Sequence, residues 1–94
     1  MNVFWTRPAL ERFIERALLY GFTRNEFELV IKKQEVRIEK GFDEKFKKEK
    51  FETIGVVASK FFTVQKAEAA KNIIVITLWE SGQKEVDLWF SKQK

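Results

Sequence analysis

From Ile73 to Trp79 the chain reads IIVITLW, apolar throughout except for Thr77 and rich in β-branched residues. A run of that length bounded by polar residues suits a strand covered on both faces, so it is a candidate sheet centre around which the rest must be arranged. Residues 85–90 alternate instead. Val86, Leu88 and Phe90 fall on one side and Glu85, Asp87 and the less polar Trp89 on the other, the pattern of a strand with one face in water. Between them Glu80-Ser81-Gly82-Gln83 supplies a glycine able to take positive φ, as a short hairpin loop with a bulge requires. The expectation is a core β-hairpin over residues 72–90 with an acidic tip.

Such a hairpin needs a cover, and the N-terminal third offers one. Leu10, Phe13, Ile14, Ala17 and Leu18 recur at i, i+3, i+4, i+7 and i+8, which predicts a helix over residues 8–20 with a single apolar stripe. Pro8 is tolerated in its first turn, where the missing N–H has no intrahelical acceptor, and Gly21 suits the left-handed residue that closes it. Thr23-Arg24-Asn25-Glu26 is a capping box, and Phe22 before the cap with Phe27 beyond it forms a hydrophobic staple. A second short helix therefore runs to about Lys33, joined tightly to the first.

From residue 34 the period changes to two: Val36 and Ile38 alternate with Glu35, Arg37 and Glu39 in a short strand that Gly41 ends. Residues 42–50, FDEKFKKEK, read as a solvated loop or short helix anchored by Phe42 and Phe46. Over residues 51–66 Ile54, Val57, Ala58, Phe61 and Phe62 share a helical face, yet the β-branched content and the interior Gly55 favour two strands turning at residues 58–60. KAEAAK at 66–71 is one helical turn or a polar connection. The whole, residues 1–94, is expected to be a single α+β domain. Two short N-terminal helices pack on a twisted, mainly antiparallel sheet of four to five strands that ends in a β-hairpin.

The chain has no Cys and no His, which removes thiolate chemistry, the commonest general base and the commonest transition-metal ligand. Lys, Arg, Tyr and carboxylates are left to carry any reaction. No metal-ligand spacing and no Gly-rich phosphate loop occurs, so neither metal nor cofactor is expected. No apolar run reaches the roughly 20 residues of a membrane span and the N-terminus lacks a basic segment followed by an apolar signal core, so the expectation is a cytoplasmic protein without a membrane partner. A net charge of +4 with a pI near 9.4 is compatible with an anionic partner. The abundance of Lys and Glu beside few Met is also a thermophile-like balance.

The run Thr6-Arg7-Pro8-Ala9-Leu10-Glu11-Arg12-Phe13, continued by Glu15-Arg16, resembles the helix opening of the RelE/BrnT-like small toxins, where a segment of the form HALERMxER is frequent. Residues 73–80, IIVITLWE, are similar to the sheet end of those proteins. The resemblance implies a toxin of a toxin–antitoxin pair, an endoribonuclease or RNA-binding protein that works without metal through basic side chains. It also implies a small acidic antitoxin-like partner. Cleavage by the ribose 2′-OH needs a base for that hydroxyl, cations for the phosphate and an acid for the leaving oxygen. The chain departs from the family in carrying Pro8 where the helix often begins with His. Its one Tyr, Tyr20, stands at a helix end rather than beside the C-terminal strand where some members carry a functional Tyr.

Arg7, Arg12 and Arg16 along one helix edge, with Lys60 and Lys66 flanking the Phe61-Phe62 strand, are the candidate RNA-binding residues, and no catalytic residue is assigned. The same residues also suit a solvated helix face and a charged strand end. Trp79 and Trp89 suit cross-strand packing or base stacking. Two other readings stay open: a winged-helix-like DNA-binding regulator with residues 72–90 as its wing, and a non-catalytic interaction module, including a homodimer through a sheet edge.

Overall fold

In the computed structural model, which describes residues 2–33, 36–69 and 71–92, the chain runs β1 (Asn2–Trp5), α1 (Arg7–Tyr20), α2 (Arg24–Lys33), β2 (Val36–Asp43), β3 (Lys48–Val57), β4 (Lys60–Ala69), β5 (Asn72–Glu80) and α3 (Gln83–Lys92). The capping chemistry sets the first two helices. The Thr6 hydroxyl accepts the Ala9 N–H at 3.3 Å, and Gly21, at φ 76°, returns its N–H to the Ala17 carbonyl. Thr23 and Glu26 exchange both bonds of the capping box at 3.1 and 3.2 Å, while the Phe22 and Phe27 rings stack 5.5 Å apart.

The architecture is α+β, with three helices and one five-stranded sheet of order β1-β5-β4-β3-β2 among the described residues. The sheet is mixed rather than mainly antiparallel: β1 runs parallel to β5, and the remaining neighbours pair antiparallel. A parallel pair needs a long crossover, and here it spans everything from α1 to β4, so nothing local to residues 2–5 announces the strand. The run at 73–79 is consequently not the sheet centre. That place belongs to β4, and β5 lies one strand from the edge.

The expected hairpin over residues 72–90 does not form, and the chain ends in a helix. Gly82 takes the N-cap position: its carbonyl accepts the Glu85 and Val86 N–H groups at 3.1 Å, and the Glu85 carboxylate reaches back to the Gly82 N–H at 2.8 Å. That carboxylate also accepts the Trp79 indole N–H at 3.1 Å, tying the helix start to the strand before it. Helical spacing then sets Trp89 and Phe90 against Phe61, with centroids 5.2 and 5.7 Å away. Phe61 points away from the core residue Phe62, so α3 lies on the sheet face opposite α1 and α2.

Residues 42–50 do not form a helix: residues 44–47 are the turn, and the residues on either side are strand, of a long hairpin of β2 and β3. Gly41, at φ 92°, sits in a register shift within β2 instead of ending it. Strands β3 and β4 form as expected, joined by Ala58 and Ser59. Of KAEAAK, Lys66–Ala69 extends β4, Ala70 lies outside the described residues, and Lys71 is in the turn before β5.

The core is an aromatic cluster between the helix pair and the sheet. Phe13, Phe22, Phe27 and Phe62 meet at centroid separations of 5.5–5.7 Å over Ile31, Val64, Ile73, Val75 and Leu78. The buried face of α1 is rotated from its expected stripe. Ala9 and Phe13 are buried, with Leu10, Ala17 and Tyr20 packed beside them, whereas Ile14 and Leu18 are 48% and 84% exposed. No described helix is long and apolar enough to cross a membrane.

Candidate functional site

Four charged or polar side chains gather where the end of α1 meets the start of β4 and the end of β5. Gly21 stops α1 immediately after Tyr20, whose ring stands edge-on against Phe62, 6.1 Å between centroids. Phe62 pairs in register with Glu80, the last residue of β5. The Tyr20 hydroxyl therefore reaches the Glu80 carboxylate and donates a hydrogen bond to it. Lys60 projects from the same face two residues before Phe62, and its ammonium lies 5.3 Å from the centre of the Tyr20 ring. Arg16, one turn earlier on α1, places a second cation near the phenol.

The electrostatics of the group follow from these contacts. The hydrogen bond to Glu80 is the main influence that raises the Tyr20 pKa above its ordinary 10.0, with burial and the Glu80 charge adding to it and Arg16 opposing. At neutral pH Tyr20 is thus a proton donor held against a carboxylate, with two cations beside it. This set can grip a phosphate, accept a proton and give one up.

Arg16 and Lys60 come together in this cluster. Arg12 is exposed two turns back along α1, about 12 Å of helix from Tyr20. Arg7 stands in the first turn, about 20 Å away by the helical rise, and binds Glu11 at 3.0 Å. Lys66 does not belong to any surface. It is 0% exposed, its ammonium donates to the Ile31 carbonyl at 3.1 Å, and Glu68 lies 3.3 Å away. It caps the C-terminal end of α2 from within the sheet, because α2 leaves orphan carbonyls there. Arg37 closes the group, 3.4 Å from Glu68 and 3.7 Å above the Phe51 ring.

Tyr20 and Glu80 were not among the candidate RNA-binding residues. They are sixty positions apart, and only the pairing of Phe62 with Glu80 brings them together. The helix-end phenol lies beside the end of β5, the last strand. Trp79 and Trp89 are engaged in packing, Trp79 through Glu85 and Trp89 through Phe61 and Phe90. Among the described residues no three His, Cys, Asp or Glu side chains gather in a metal-binding group. No protein-family model matches the chain, and no match was found among curated proteins.

Proposed function

We propose that this chain acts on single-stranded RNA in the manner of the RelE/BrnT-like toxins, binding and cleaving it at the Arg16–Tyr20–Lys60–Glu80 cluster. The observation that carries the reading is the Tyr20–Glu80 hydrogen bond with the Lys60 ammonium beside the same ring. Arg16 and Lys60 neutralise the phosphate as negative charge builds on it. Glu80 takes the proton of the attacking 2′-OH, and Tyr20 gives its proton to the leaving 5′-oxygen. The proton on Glu80 then passes to the tyrosinate along their hydrogen bond, which restores the starting state. The products are a 2′,3′-cyclic phosphate and a 5′-hydroxyl.

The net charge of +4 supports a small acidic protein as the partner that would mask this end. The winged-helix reading loses its wing, because Gln83–Lys92 is helical. The test is incubation of the purified protein with a single-stranded RNA in EDTA, followed by analysis of the product ends. Tyr20→Phe and Lys60→Ala are each expected to slow cleavage about 10²–10⁴-fold with folding retained. RNA left intact and unbound by the wild-type protein would sink the reading.

A further inference from the structure

On the other face of the sheet, Phe4 of β1 and Ile74 of β5 lie side by side in register, while their neighbours Val3, Trp5, Ile73 and Val75 fill the core. The end of the β2–β3 hairpin reaches this same spot. The Asp43 carboxylate accepts the Phe46 N–H at 2.9 Å and Lys47 takes φ 56°, which shapes the tip, and Phe46 and Phe4 both line a cleft of about 320 Å³. A left-handed lysine is a strained backbone, and such strain gathers where a local geometry is needed. Lys48, Asn72 and Thr6 supply the polar lining, and Ile74 is part of the floor. Thr6 is already engaged with Ile76 and Ala9, whereas neither the Lys48 ammonium nor the Asn72 amide has a side-chain partner among the described residues. Phe4 is 53% exposed, so its ring is open to a ligand, and the Lys45 ammonium lies 5.4 Å from the Phe46 ring centre.

We propose that this cleft is a second nucleotide site, which takes one base of a single-stranded RNA between Phe4 and Phe46. The chemistry selects that occupant. Two phenylalanine rings offer π faces to a planar base of any sequence, and the volume lies at the low end of small-molecule sites, enough for a single base with its sugar. The Asn72 amide presents a donor and an acceptor to the base edge, and Lys48 and Lys45 stand where the adjoining phosphate would lie. The site takes its ligand class from the RNA reading, yet it shares no residue with the first cluster. It lies on the opposite face, six residues back along β5, or about 20 Å of strand. A strand bound at both places must pass from one face of the sheet to the other.

The experiment is an NMR titration of the isotope-labelled full chain with a single-stranded RNA trinucleotide, too short to span both places. The Asn72 side-chain amide and the rings of Phe4 and Phe46 are expected to shift together. Phe4→Ala and Phe46→Ala should each weaken binding at the cleft about tenfold while shifts at Arg16 and Lys60 persist. Lys48→Gln, which leaves the packing alone, should weaken it several-fold and flatten its salt dependence. Shifts confined to Arg16, Tyr20 and Lys60 would overturn the cleft site and leave the first reading standing. Cleft shifts without any at Arg16, Tyr20 or Lys60 would do the reverse. An acidic, Trp-containing peptide that shifts the cleft where the trinucleotide does not would also overturn the proposal, in favour of a protein ligand.

Discussion

Gly55 of β3 lies directly beneath Val30 of α2: a Cβ placed on the glycine would fall 2.2 Å from the valine Cγ1. The helix can approach the strand this closely only because residue 55 has no side chain. Gly55→Ala is expected to destabilise the fold by about 1–3 kcal/mol, the usual range for overpacking, and Val30→Ala in the same chain should recover part of that loss. Chemical denaturation of the two single variants and the double variant measures the coupling. Additive effects would show that the two positions do not press on one another.

Tyr20 is the one tyrosine of the chain, so alkaline ultraviolet absorbance follows its ionisation alone. Its hydrogen bond to Glu80 should hold the midpoint above 10.0, and Glu80→Ala should bring it back toward that value. The sign for stability follows. With the folded pKa raised, the contribution is fully present below pH 10.0 and disappears as pH rises through the folded value. The stability difference between wild type and Tyr20→Phe should therefore shrink above pH 10. A wild-type midpoint at or below 10.0 would contradict the geometry.

Lys66 titrates with the opposite sign. Burial lowers its pKa from 10.5, with Glu68 opposing the shift, so the charged form is the costly one in the folded state. Its contribution is present above pH 10.5 and is lost as pH falls through the lowered folded value. Lys66→Met leaves the Ile31 carbonyl without its donor and is expected to lower stability by about 1–3 kcal/mol, while Arg37 still serves Glu68. The gap between wild type and Lys66→Met should widen as pH is raised toward 10.5. Denaturation curves at pH 8 and pH 10 decide this, and a gap that narrows would refute it.

The turn between β3 and β4 places Ala58 and Ser59 at φ 51° and 61°. A two-residue hairpin of the I′ kind requires positive φ at both central residues and favours Asn-Gly there. Replacing both, as Ala58→Asn with Ser59→Gly, should stabilise the chain by about 1–2 kcal/mol, seen as a rise of about 4–8 °C in Tm per kcal/mol. An unchanged or lower Tm would mean that the present pair carries no strain.

These four cases also show what a sequence can disclose. The Thr23–Glu26 box and the Gly21 stop are bonds between residues three or four apart, and each stands where the sequence places it. Residues 83–92 carried two competing patterns. Val86, Leu88 and Phe90 alternate, but Val86, Trp89 and Phe90 also follow helical spacing, and the bonds at Gly82 and Glu85 settled it in favour of helix. The exposed Ile14 and Leu18 show that a wide apolar stripe does not say which of its edges meets the core. Lys66 and the Tyr20–Glu80 pair had no local signal, since their surroundings are assembled from α1, α2 and three strands.

Ring follows ring from Trp5 through Phe13, Phe22 and Phe62 to Tyr20, at centroid separations of 5.1 to 6.1 Å. Each ring has only two torsions and close neighbours, so the phenol has little freedom of its own. The aim of the Tyr20 hydroxyl is in this sense a property of the hydrophobic interior. Between Trp5 of β1 and the Tyr20 phenol the contacts run through three phenylalanine rings alone, with no charged residue among them.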